Sequence, residues 1–245
     1  MNAALIQRCP SSGEFINPGC YSAWYGFQKR GIETRFFTWP ELKAGQVQLD
    51  KEVVVVGGIE AVRLALSSLG YAQPVNFDYP ACLEPIFHRQ VKRSVLAYLG
   101  ETMPVFVKPY GEHKLFPGHT VSKYRDLIRT ASCAEDTEVW MSGLVEFVSE
   151  YRYSVNRGKI VGAGCYNGDP TIHPNTEVIL WSVDTFEASG GAPIAYNMDL
   201  GVLSTGETAL VEVNDGFAFG PYGLDPIKHS GMLEDRWSEM TNASL

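Results

Sequence analysis

The chain is short of positive charge: 20 Lys and Arg stand against 28 Asp and Glu, for a formal net charge of −8. A nucleic-acid partner needs a basic excess to neutralise its phosphates, so none is expected. No apolar run approaches the roughly 20 residues of a spanning helix, so no membrane span is expected. Residues 1–10 lack a charged head followed by an apolar stretch, which argues against a secretory signal. The five cysteines, Cys9, Cys20, Cys82, Cys133 and Cys165, are odd in number and form no C-x-x-C pair. Neither a zinc site nor a disulfide framework is expected, and scattered thiols suit the cytoplasm. Asn242-Ala-Ser matches a glycosylation acceptor and is read as chance in that setting. His113, His119, His173 and His229 show no metal-like spacing. Repeats, a G-x-G-x-x-G fingerprint, a G-x-x-x-x-G-K-[ST] loop and a G-x-S-x-G elbow are all missing.

What remains is a chain of 245 residues, 45% hydrophobic and 20% charged, the balance of an ordinary globular protein with one large domain or two modest ones. Residues 3–6 and 34–39 read as strands, and residues 21–30 as a helix stopped by Gly31. Pro40 closes the second strand. The unbroken apolar run Val53–Val56 fits a strand buried on both faces. Gly57-Gly58 then turns into a helix over residues 59–69, with Ile59, Val62, Leu66 and Leu69 on one face. Residues 1–75 are therefore predicted to form a small α/β domain. Residues 73–85, with three prolines, read as a linker. A helix is predicted over residues 83–99, with Ile86, Val91, Val95 and Leu99 apolar.

Beyond this point strands dominate: residues 103–107, 138–141, a long strand over 145–155, a turn at Asn156-Arg157-Gly158, and 159–165. A helix is expected within residues 177–190 and a short covering helix around Trp237 and Met240, while residues 195–202, with Asp199, lead toward the stretch that follows. The fold class is α/β followed by α+β.

The most informative stretch is residues 208–222. Residues 209–214 have strand composition, so Val211 and Val213 face one way and Glu212 and Asn214 the other. A carboxylate and an amide oxygen side by side on a rigid element suit a hard cation such as Mg²⁺. The same alternation also describes a half-buried strand with its polar face in water. Asp199, in the segment before, adds a third oxygen donor. Lys108, Lys114 and Arg152 are candidate cations for phosphate oxygens. Lys108 ends an apolar strand, Lys114 lies in a loop between Gly111 and Gly118, and Arg152 shares a strand face with Glu150 and Ser154. The bland readings beside these are a solvated lysine for Lys108, an exposed loop for Lys114 and a cross-strand charge ladder for Arg152.

In order along the chain, these pieces resemble the ATP-grasp superfamily. The matching segments are V-F-V-K-P (105–109), K-L-F-P-G (114–118), W-M-S-G-L-V-E-F-V-S-E-Y-R (140–152), Asp199 in M-D-L-G, and L-V-E-V-N-D-G (210–216). The sequence looks closest to the clade named for one arginine and two lysines, over about residues 76–223. The resemblance implies an ATP-grasp fold: a small Rossmann-like domain over residues 1–75, then an ATP-grasp domain over 76–245 made of two subdomains hinged near residues 142–146. It implies ATP held by Lys108 and Lys114, with Arg152 facing the phosphates. Adenine would lie along Ser142, Leu144, Val145 and Glu146, and Mg²⁺ would sit on Asp199, Glu212 and Asn214. Gly143 stands at a hinge position where related sequences often carry an acid. The implied chemistry is joining a carboxylate to an amine through an acyl phosphate, on an amino acid or peptide, with Arg152 and Lys114 at the reacting end and the Lys114 loop as a lid. A non-catalytic ATP-binding module acting through a partner and an Mg²⁺-dependent phosphohydrolase stay open beside it.

Overall fold

The computed structural model describes residues 1–111 and 115–242. The chain opens with β1 (Ala3–Arg8), α1 (Pro18–Lys29), β2 (Glu33–Thr38), α2 (Trp39–Lys43), β3 (Val53–Val56) and α3 (Ile59–Ser68). The three strands make a parallel sheet in the order β2-β1-β3. β3 and α3 lie where the apolar patterning put them. Gly57 lets Gln7 approach closely: a Cβ there would lie 2.5 Å from Gln7 Oε1, whose oxygen accepts the Gly58 N–H. Pro40 does not simply end a strand. It sits in the first turn of α2, where a missing N–H costs nothing, behind a box formed by Thr38 and Glu41.

A second sheet follows, built from β4 (Val91–Val95), β5 (Val105–Pro109), β6 (His119–Val121) and β7 (Glu138–Ser142) in the antiparallel order β4-β7-β5-β6. Here the predicted helix over residues 83–99 is wrong. Residues 81–86 and 96–101 are 3₁₀ turns flanking β4. Pro85 lacks the N–H a helix needs, and His88 adopts a positive φ of 50°. The Arg89 guanidinium is pinned by the Phe87, Leu210 and Val211 carbonyls, which holds the chain extended. Val91 to Val95 then alternate and pair with β7, so the apolar positions serve a strand.

The third sheet holds β8 (Phe147–Asn156), β9 (Lys159–Gly168), β10 (Ala195–Leu203) and β11 (Thr208–Asp215) in the antiparallel order β11-β10-β8-β9, with α4 (Thr176–Ala188) between β9 and β10. The turn between β8 and β9 puts Arg157 and Gly158 at positive φ, as a tight hairpin demands. Tyr151, Tyr153, Met198, Leu210 and Val213 pack one face of this sheet into a core with Ile179, Val183 and Phe186 from α4.

The last helix, α5 (Pro226–Asn242), has 17 residues and is longer than expected. It packs on the beginning of the chain. Leu233, Trp237 and Met240 join the core of the parallel sheet, and the Trp237 indole N–H donates to the Lys51 carbonyl. Glu234 pairs with Arg30 and with the Met1 amino group.

His229 is completely buried at the α1–α5 contact, with Nδ1 3.0 Å from Ser22 Oγ and Nε2 3.3 Å from the Phe219 carbonyl. Burial pushes its pKa down to about 4. Between that value and the ordinary value near 6.5 the unfolded chain binds the extra proton, so stability is intact above pH 6.5 and falls as pH drops toward 4. A urea titration at pH 7.5 and 4.5 should show the wild type losing about 2–3 kcal/mol more than His229→Gln. Equal losses would remove His229 as the cause.

Candidate active site

Cross-strand register builds the site. Asp199 on β10 lies opposite Arg152 on β8 and opposite Glu212 on β11. Their side chains share one face, so three separate strands deliver one row of charges. Asn197 is flanked in the same way by Ser154 and Asn214, giving a polar row beside the first. The pleat explains why Glu212 and Asn214 face the site while Val213 is buried in the core behind them.

Arg152 grips Asp199 with a two-pronged fork, Nε to Oδ1 at 2.8 Å and Nη2 to Oδ2 at 2.6 Å. Its guanidinium lies 4.4 Å from the centre of the Tyr222 ring. Burial works against that guanidinium, but Asp199 outweighs it and raises its affinity for a proton. Asp199 is pushed up to about 6, first by burial and further by the nearby Glu212 and Glu150 charges, with Arg152 opposing. The Asn214 amide donates to Glu212 Oε1 at 2.8 Å and lies 3.4 Å from Asp199 Oδ2.

The second sheet faces this row. Lys108 near the end of β5 places its Nζ 2.6 Å from Glu212 Oε2 and 2.5 Å from Asp78 Oδ1. Burial disfavours its charge, yet Glu212 and Asp78 together keep it protonated, above the ordinary lysine range. Asp78 is fixed in turn by the Trp140 indole N–H at 2.9 Å and by backbone bonds in both directions with Val213. A cavity of about 620 Å³ opens between the two sheets, lined by Lys108, Arg152, Asp199, Glu212, Asn214 and Asp78 among others.

Five of the sequence-predicted residues thus converge: Lys108, Arg152, Asp199, Glu212 and Asn214. Lys114 lies outside the described residues. Ser142 ends β7, Leu144, Val145 and Glu146 lie in the link to β8, and none of the four is among the residues lining that cavity. Within the link, the Gly143 N–H donates to the Gln90 carbonyl, and the Glu146 carbonyl accepts from the Ser204 N–H.

Sequence reading missed Asp78, which sits in what looked like a linker and carries no motif. It also missed Tyr166 and Tyr222, which flank Arg152. Tyr222 lies in the run Gly220-Pro-Tyr-Gly223, which advertises a turn and nothing more. Its position is set by Gly164 on β9, where a Cβ would fall 2.0 Å from the Tyr222 carbonyl oxygen. Asp215, the last acid of the V-E-V-N-D segment, belongs to the architecture. It forms a buried two-pronged pair with Arg236 of α5, at 2.8 and 2.6 Å.

Among the described residues, no group of three or more His, Cys, Asp and Glu side chains is arranged to hold a metal ion. The oxygen set here is two carboxylates and an amide. A set that small suits a hard divalent cation whose remaining positions go to water or phosphate. The elevated Asp199 pKa agrees, since it marks crowded, buried negative charge that an added cation would relieve.

The family model that matches is an ATP-grasp domain, family 2 of the clade named for one arginine and two lysines, over residues 87–232, more than half of the chain. The chain belongs to this ATP-grasp family. No curated protein sequence matches it. Among solved structures, the ATP-grasp fold seen here is similar to that of a RimK domain protein from Sphaerobacter thermophilus. That match has 15% identity and a TM-score of 0.57, covering 95% of this chain and 98% of the other. D-alanine–D-alanine ligase from Bacillus anthracis, in a structure complexed with ATP, is 16% identical with a TM-score of 0.59, over 97% and 95%. The macrocyclase MdnC from Microcystis aeruginosa, bound with precursor peptide MdnA, is 12% identical with a TM-score of 0.54, over 94% and 99%. Identities this low speak for the fold alone. The ATP-grasp chain contains no helix, among the described residues, that is long and apolar enough to cross a membrane.

Proposed function

We propose that this protein is an ATP- and Mg²⁺-dependent ligase that joins a carboxylate to an amine through an acyl phosphate, releasing ADP. The observation that carries this reading is the charge row Arg152–Asp199–Glu212, closed from the opposite sheet by Lys108. Phosphoryl transfer needs positioning and charge neutralisation more than covalent help from the protein. In this reading Asp199, Glu212 and Asn214 hold Mg²⁺, which when bound draws negative charge away from the phosphate oxygens. Lys108 and Arg152 supply fixed cations for the phosphates. The rigid sheets hold these groups in place before substrate arrives, so little reorganisation is needed during the transfer. Lys114, outside the described residues, is assigned as a further cation for the nucleotide.

Adenine is assigned to the link over residues 142–146. The Gly143 N–H and the Glu146 carbonyl already have partners within the chain, so the adenine hydrogen bonds fall to other backbone groups of the segment, those of Leu144 and Val145 among them. A D-alanine–D-alanine ligase and a macrocyclase bound with a precursor peptide share the fold, which supports an amino acid or peptide substrate here.

Calorimetric titration of ATP with and without Mg²⁺ tests the reading, followed by ADP release from pools of carboxylic acids and amines. Saturable, Mg²⁺-dependent binding with amine-dependent ADP release is expected. Phosphate release that needs no amine would replace the ligase by a phosphohydrolase, and binding without turnover would leave a non-catalytic module. Lys108→Ala should weaken ATP binding by about 10- to 100-fold, the loss of one strong charge-assisted contact. Equal affinity would remove Lys108 from the nucleotide site.

A further inference from the structure

A second cavity of about 610 Å³ adjoins the charged one. The two share a wall made of Ile59, Ala218, Phe219, Gly220 and Tyr222. Their linings differ sharply. The first is lined by Asp78, Lys108, Arg152, Asp199, Glu212 and Asp215 among others. The second has no Asp, Glu, Lys or Arg among the described residues that line it, and its surface is given by groups such as Val56, Cys20, Phe219, Pro221 and Leu233. The titratable groups facing it are Cys20, Tyr222 and His229. His229 has both ring nitrogens within the chain's own hydrogen bonds, and burial holds it neutral with a pKa of about 4. Burial likewise holds the Cys20 thiol protonated, up to about 12. Tyr222 joins the two linings physically: it borders the apolar cavity while its ring stacks on the Arg152 guanidinium.

We propose that the carboxylate substrate of this site carries a bulky, uncharged apolar body, aromatic or branched aliphatic, which fills the second cavity while its carboxylate faces Arg152 across the Tyr222 wall. This rests on the ligase reading for the fate of the carboxylate and on the two linings for the substrate class. The cavity falls within the size range of small-molecule pockets, about 300–1,000 Å³. A charged tail there meets no side chain of opposite charge, so whatever water it gives up is not repaid by an ion pair. The first turns of α1 and α3 border the cavity with their positive dipole ends, so a cationic tail is repelled as well as unpaired, and an anionic tail is met by those partial charges alone and by no Lys or Arg side chain.

The test uses four acids with a common carboxylate head: hexanoate, 3-phenylpropanoate, adipate and 6-aminohexanoate. Each is titrated into the full chain by calorimetry. Hexanoate and 3-phenylpropanoate should bind saturably, at least about tenfold tighter than adipate or 6-aminohexanoate. A blocking variant is Gly58→Leu. Gly58 lines the apolar cavity and not the charged one. Its φ of −64° and ψ of 159° suit any residue, and a Cβ there meets nothing closer than 3.8 Å. The variant should melt as the wild type does and lose apolar-acid binding by about tenfold or more. The proposal is overturned if no acid binds saturably, if the charged-tail acids bind as well as the apolar ones, or if a folded Gly58→Leu binds them unchanged. The wild-type series decides even if that variant does not fold. Apolar-acid binding with no ADP release on any amine sinks the ligase reading and leaves the cavity assignment standing. ADP release driven only by charged-tail acids does the reverse.

Discussion

Glu212→Ala should abolish Mg²⁺-dependent turnover, cutting ADP release by at least about 10²–10³-fold, while the fold survives. The loss is large because the Glu212 carboxylate touches both sides of the site. It faces Asp199 across β10–β11 and reaches Lys108 on the opposite sheet. Removing a group that stabilises transferring charge commonly costs this much in rate. The fold survives because Lys108 keeps Asp78 at 2.5 Å and because the Glu212 side chain is 28% exposed, so no charge is left stranded. A stability change of about 1 kcal/mol, or a Tm shift of ~2–4 °C, is the expected extent. ADP release at the wild-type rate in a folded Glu212→Ala protein would sink the metal assignment.

Arg152→Ala should behave differently, losing both stability and function. Arg152 and Asp199 are 11% and 2% exposed in their side chains, and the guanidinium makes both of its strong bonds to that carboxylate. Removing one partner of a buried pair leaves the other uncompensated, at a cost of about 3–5 kcal/mol. Thermal or urea melts should therefore shift far more than for Glu212→Ala, and ATP binding should fall as well. Arg152→Lys restores the charge without the planar fork and should recover part of the stability but little of the ATP affinity. If Arg152→Ala melted within about 1 kcal/mol of wild type, the pair would be structurally idle, as many exposed ion pairs are.

Much of this was legible from local pattern. The run of four valines, the Gly-Gly turn and the three- and four-residue spacing of Ile59, Val62 and Leu66 are enough for β3 and α3, since burial on both strand faces and on one helix face leaves its mark in neighbouring residues. The same holds for the alternation in β11, which puts Glu212 and Asn214 on the polar face. Residues 83–99 were misread because their apolar positions serve two periods at once. Whether Val91 and Val95 lie on a helix or a strand was settled by Arg89 bonding to carbonyls of β11, more than a hundred residues away.

The sequence by itself determined the order of elements over most of the chain, the family to which it belongs and five of the residues that line the charged cavity. Each of these is written in spacing along the chain or in short motifs. Only the tertiary structure decided that Asp78 braces Lys108, that Asp215 belongs to a buried pair with Arg236, and that α5 returns to cover the first sheet. It alone set an apolar cavity against a charged one behind Tyr222. Those facts depend on strand register and on contacts between distant segments, and neither leaves a periodic trace in the residues that make them.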